Sequence, residues 1–156
     1  MATVIRGDDN WDTALKAGSQ AFAARYGSNG WLTLGTATIL GFDDDSTGDS
    51  FDNGSNYSTS TYKYTAPTTG VYMFWFSVYT AKDDVLNSFG LLKNSAVLNF
   101  QSDASRYLAI GYSDHDVMFS WSGVVPLSSG DTIAVCTIDA SDVYKGHSQW
   151  GGCRLS

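Results

Sequence analysis

The chain is 156 residues long, enough for one well-buried core and short for two. It carries a net charge of −7, and all 16 of its acidic residues are Asp. Its nine basic residues are scattered singly, which argues against nucleic acid or an anionic membrane as partner, and no apolar run is long enough to span a bilayer.

Asp competes with the backbone and favours turns, whereas Glu favours helices. With abundant Ser, Thr, Gly and 14% aromatic residues, the composition predicts a β-protein with polar turns. Residues 1–20 read as a polar arm. In it, Asn10 or Asp12 is placed to cap a short helix through Ala14, Leu15 and Ala17, which Gly18 weakens. Residues 21–156 read as one strand-and-turn domain.

The predicted strands are Gln20–Tyr26, Trp31–Phe42 (interrupted by Gly35 and Gly41), Tyr57–Thr65 and Val71–Thr80. Phe89–Lys93 and Ala96–Gln101 flank Asn94-Ser95, a hairpin signal. Arg106–Tyr112, Val117–Leu127, Thr132–Ile138 and Ser148–Leu155 follow. Asp43–Asp49 is an acidic loop; Ala66–Gly70 and Ser128–Asp131 are turns. Eight to ten short strands at regular spacing predict a sandwich or jelly roll.

The strand at Val71 is apolar on both faces. Tyr72, Phe74, Phe76 and Val78 point one way; Val71, Met73, Trp75 and Tyr79 point the other. If Met73, Trp75 and Tyr79 lay in water they would expose on the order of 400 Å², at the upper end for a monomer. Their burial at ~25 cal/mol per Å² would contribute roughly 10 kcal/mol per chain before association costs. A second copy of the protein is the simplest cover; the arm or a loop is the alternative.

Other patterns point to little chemistry. Cys136 and Cys153 read as free thiols in different strands, with no Cys/His spacing for zinc. His115 and His147 are the only histidines, each expected in a polar turn, and no nucleophile elbow accompanies them. Asp43–Asp45 and Asp114/Asp116 match no calcium loop and read as solvated turns. No catalytic residue, cofactor or metal is expected. Arg6-Gly7-Asp8 is an integrin-type tripeptide best read as solvated arm, and Asn53-Gly54-Ser55 and Asn56-Tyr57-Ser58 are glycosylation acceptors by pattern. Trp31, Trp121 and Trp150 would stack on sugars if exposed, against a default of core burial.

The middle of the chain also resembles a known family. Asp52, Tyr57, Tyr64 and Gly70 keep the spacing of the globular head of the first complement component, a jelly roll shared with tumour necrosis factor. Gly70, Tyr72, Phe74 and Phe76 then match its G-x-Y-x-F-x-aromatic run. Tyr64 stands where Phe is usual, and Phe42 replaces a Phe expected six residues before Asp52. Leu92-Lys93-Asn94, Ser122-Gly123 through Leu127 with Gly130–Ile133, and Trp150-Gly151-Gly152 resemble later family segments.

The resemblance covers roughly Gln20 to Ser156. It implies a homotrimeric TNF-like jelly roll with Tyr72 and Phe74 in the core and Met73 and Trp75 toward a neighbour. Without a collagen repeat or a secretion signal, and with a chain beginning at Met1, it most resembles the stalkless heads of bacteriophage particles. The expectation is therefore a non-enzymatic capsid decoration protein on the virion surface. Its partners would be itself and the major capsid protein, with Ile5, Trp11 and Leu15 as arm anchors. A fibre tip that binds a host glycan and a secreted TNF-like signalling head are the alternatives.

Overall fold

A computed structural model describes residues 20–46, 50–80, 85–98, 108–113 and 116–156. The arm anchors Ile5, Trp11 and Leu15, the capping residues Asn10 and Asp12, the tripeptide Arg6-Gly7-Asp8, and Asp114 and His115 lie outside the described residues.

Among the described residues there are twelve strands: β1 Ala21–Arg25, β2 Trp31–Leu34, β3 Phe51–Asp52, β4 Tyr57–Ser58, β5 Lys63–Thr65 and β6 Gly70–Thr80. They continue with β7 Val85–Lys93, β8 Ala96–Val97, β9 Ala109–Ser113, β10 Val117–Leu127, β11 Thr132–Thr137 and β12 Ser141–Arg154. One antiparallel sheet has the order β10-β6-β12-β1-β3, with β2 also on β12. The other has the order β4-β5-β11-β7-β8, with β9 also on β7. The two sheets enclose one aromatic core, as a jelly-roll sandwich does.

Strand β6 is the spine of the first sheet. All eleven of its residues pair with β10, from Gly70↔Leu127 to Thr80↔Val117. Tyr72, Phe74, Phe76 and Val78 are essentially inaccessible to water, and their neighbours in sequence are not. The core is built ring on ring. Phe22 stacks on Tyr57 at 5.1 Å and on Tyr64 at 4.8 Å, and meets Trp150 edge-on at 4.7 Å. Tyr64 meets Phe74 edge-on at 5.7 Å. Such pairs contribute about 0.5–1.5 kcal/mol each beyond their burial.

Several elements depart from the sequence expectation. The run Trp31–Phe42 is strand only to Leu34; Ala37 takes a left-handed φ of 52°, which turns the chain. Leu40 and Phe42 are buried from the loop that follows. Tyr57–Thr65 is a hairpin, not one strand, because Tyr62 turns it with a φ of 59°. Asn94 and Ser95 both have positive φ, as the predicted tight hairpin requires. Strand β12 starts at Ser141, seven residues before the predicted Ser148, since its first half is polar and crossed by a bulge.

Candidate functional site

The outward face of the first sheet gathers several apolar side chains that the core does not use, while Ile110 and Tyr112 on β9 and Leu155 after β12 are exposed elsewhere. Register places Val124 and Cys153 on either side of Met73, and Ser122 and Gly151 on either side of Trp75. Ala23 links Gly151 to Phe51 at the far edge. Met118 and Tyr144 flank Tyr79. Met73 is 36% exposed, Phe51 42%, Met118 48% and Val124 50%. Scattered apolar residues are ordinary on a surface, but a contiguous row across several strands marks a contact face.

Trp75 is half-buried because the neighbouring strand makes room for it. A Cβ on Gly151 would lie 2.8 Å from the Trp75 Cζ2 atom, so only glycine lets the indole lie across β12. Part of the area assigned to Trp75 from sequence is therefore already covered within the chain. Val71 is likewise half-buried. Val124 and Phe51 enlarge the row on its flanks, and Met118 lies beside Tyr79, set apart from it by Ser77 and Ser120. Sequence reasoning missed these three, because Val124 reaches Met73 only through a register linking segments some fifty residues apart.

The motif residues serve the core. The Asp52 carboxylate accepts the Tyr57 N–H at 2.9 Å and holds the β3–β4 turn. The Tyr57 hydroxyl donates to the Phe42 carbonyl at 2.5 Å, which puts Phe42 into the core as the resemblance implies. Burial raises the Tyr57 and Tyr64 phenols far above their ordinary range. Gly70 starts β6 against the backbone of Ser156, and Gly152 pairs with Phe74. Phe22, at the centre of this core, carries no motif signal beyond the alternation Phe22-x-Ala24-x-Tyr26.

The other candidates resolve differently. Trp150 is fully buried in the core and cannot meet a sugar, Trp121 is half-buried with its ring stacked on Phe76 at 6.1 Å, and Trp31 is 53% exposed. Cys136 and Cys153 are both free. Asp44 is not a solvated loop residue: it is buried and paired with Arg25 at 3.2 Å, while Asp43 accepts the Gly27 N–H at 2.7 Å. His147 stands in the bulge of β12, packed on Tyr79 and Tyr144, rather than in a turn. Among the described residues no three His, Cys, Asp or Glu side chains converge as a metal would need.

Solved structures share this architecture. Over 88% of this chain, the Eiger TNF of S. frugiperda superposes with a TM-score of 0.67, at 14% identity and over 93% of its own length. The globular domain of zebrafish complement 1qA protein gives 0.63 at 14% identity, over the same share of this chain and 98% of its own. Murine APRIL gives 0.61 at 14% identity, over 88% of this chain and 100% of its own. The fold is the TNF/C1q jelly roll. No family model and no curated protein matches the sequence itself. In this TNF/C1q-like frame the exposed row belongs to the sheet built on β6, β10 and β12.

Proposed function

We propose that the chain works by assembly, as a homotrimeric, non-enzymatic head whose subunits meet through the outward face of the β10-β6-β12 sheet. One observation carries this: Met73, Val124 and Phe51 form a half-exposed apolar row around Trp75 on a sheet whose other face is already full. Subunit seams are richest in large apolar and aromatic side chains at their centre, which this row supplies. Threefold closure is what the TNF/C1q resemblance implies for such a face.

The finer reading is a virion decoration protein. Segment 1–20 tethers the trimer to the capsid, with Ile5, Trp11 and Leu15 as anchors. Three tethers on one head act together, so detachment must break several contacts at once.

Two measurements test it. Sedimentation of the purified chain should give about 50 kDa, three times 16.8 kDa; a single-chain mass would refute the assembly. Deleting residues 1–18 should leave the trimer intact and abolish binding to particles of the source virus. Truncated protein that still decorates particles would show that the arm is not the anchor. A trimer that binds no particle but engages a cell-surface receptor would favour the signalling head instead.

A further inference from the structure

The aromatic end of the same sheet has a different character. Trp31, on the edge strand β2, lies 5.0 Å from the Tyr144 ring and 6.1 Å from the Tyr79 ring. His147 packs on both tyrosines, at 5.3 Å from Tyr79 and 5.2 Å from Tyr144. Beside these rings β12 leaves the ladder. Tyr144 pairs with Tyr79 and Gln149 with Ser77, so Lys145 to Ser148 stand opposite Val78 alone.

The excursion is held in place. The Ser148 hydroxyl donates to the Tyr144 carbonyl at 2.7 Å and accepts the Tyr79 N–H at 3.0 Å. The Lys145 N–H donates to the Gly30 carbonyl, and the Lys145 ammonium to the Ser28 hydroxyl, both at 2.9 Å. A Cβ on Gly146 would meet Asn29 Oδ1 at 2.5 Å, so the bulge and the 27–30 turn are in close contact. Bulges fixed in this way re-aim side chains next to functional sites.

Two adjoining depressions result, sharing Arg25 and Gly146. One of about 300 Å³ is lined by Met118, His147 and Gln149; the other, of about 280 Å³, by Asn29 and Lys145. The Asp116 carboxylate, beside the Tyr79 hydroxyl, raises that phenol above its ordinary range.

We propose that this end of the sheet is a carbohydrate-binding cleft, with the exposed Trp31 face as the stacking platform and the bulge as its polar wall. A pyranose ring has one face of C–H bonds and a rim of hydroxyls. The first needs a flat exposed ring, and the second needs donors and acceptors around it. Trp31 supplies the ring; Arg25, Lys145, Asn29 and Gln149 supply the rim. A subunit seam is depleted of charge at its centre, so this mixture of charged and amide groups fits a hydroxyl-rich ligand better than another copy of the chain.

Position agrees with chemistry. The Arg154 N–H donates to the Gln20 carbonyl at 3.1 Å, so residue 20 joins the sheet at the end where β6 begins. Tyr79 lies nine residues further along β6, about 30 Å away at 3.3 Å per residue. A head tethered through segment 1–20 turns this cleft outward. That orientation rests on the proposed function; the cleft itself does not, since a single chain carries all of it.

The test uses the full chain with maltotriose, triacetylchitotriose, lactose and 3′-sialyllactose as probes, read by saturation-transfer NMR. At least one should receive saturation, strongest at the C–H protons of one ring face. Trp31→Ala should weaken that probe's binding by about tenfold or more with sedimentation unchanged. Lys145→Ala should weaken it less, and decides the matter if the tryptophan variant misfolds. Binding by none of the four, binding indifferent to both substitutions, or a Trp31→Ala variant that loses its assembly would overturn the proposal. The last outcome would assign the rings to the subunit seam. A cleft without a trimer would refute the assembly alone.

Discussion

The outward faces of the two sheets are finished differently at their centres, although at the β9 edge of the second sheet Ile110 and Tyr112 also stay exposed. On the second sheet Leu92, Ala134, Cys136 and Ile138 point outward and are all buried, with Ile39 and Val97 packed around Leu92, Cys136 and Ile138. On the first sheet Met73, Met118 and Val124 point outward and stay a third to a half exposed. Among the described residues, the chain covers the outward face over β7 and β11 from its own segments and leaves that over β6 and β10 partly open. Under the proposed assembly, a neighbouring copy covers the part left open on the first sheet.

The strongest way to break this contrast is to charge the open face. Met73→Asp with Val124→Asp touches exposed side chains, so the fold should survive while the seam does not. Sedimentation should drop from three chains to one, near 16.8 kDa, with an unchanged far-ultraviolet spectrum. A mass that stays threefold would move the seam elsewhere. In that single-chain background Phe74→Ala should cost about 3–5 kcal/mol of unfolding free energy in a denaturant titration. A cost below about 1 kcal/mol would mean that Phe74 is not central to the core, against its zero exposure and its contact with Tyr64.

The two cysteines report on the two faces separately. Cys136 lies in the closed outward cluster, and burial pushes its thiol up to about 12. Cys153 lies beside Met73 on the open face and is half-buried. A thiol reagent should react slowly with both in the assembled protein. In the charged-face variant one thiol per chain should become fast, and mass mapping should place it at Cys153. Equal rates for Cys153 in the two proteins would leave the seam without support from this side.

Much of this was legible in the sequence, for local reasons. The alternation of β6 sorts Tyr72, Phe74 and Phe76 from Met73 and Trp75 without further information, because side-chain period in a strand is fixed. The Asp52-to-Phe76 spacing carries the jelly roll, because its aromatic members Tyr57, Tyr64, Tyr72, Phe74 and Phe76 all belong to one core. What stayed hidden depends on register or on tertiary turns. Val124 and Phe51 join the open row only once β10, β6, β12, β1 and β3 are aligned. The bulge at 145–148 has no sequence signature, since the Ser148 hydroxyl that holds it looks like any other serine. Tyr62 as a turn residue contradicts its own strand propensity, and the tertiary structure overrode it.

The smallest effect expected is one that should ignore the contrast. Asp131 sits in the turn between β10 and β11, where the chain passes from the open-faced sheet to the closed one. Its carboxylate meets the Lys93 ammonium at 2.8 Å, and accepts the Asn94 amide at 2.6 Å and the Ser128 N–H at 2.8 Å. Lys93 also donates to the Pro126 carbonyl, which ties the two sheets at this end. These partners lower the Asp131 carboxyl from its ordinary 3.8 to about 2, Lys93 foremost. A lowered carboxyl stabilises the fold above its unfolded value, and that contribution is lost as pH falls from 3.8 through about 2. The melting temperature should therefore decline over that window, and Asp131→Asn should flatten the decline without altering the plateau above it by more than a few degrees. Because Asp131 touches neither outward face, the flattening should be the same in the trimer and in the charged-face variant. A larger effect in the trimer would place this turn in the seam and shift the proposed interface toward the β10–β11 end of the head.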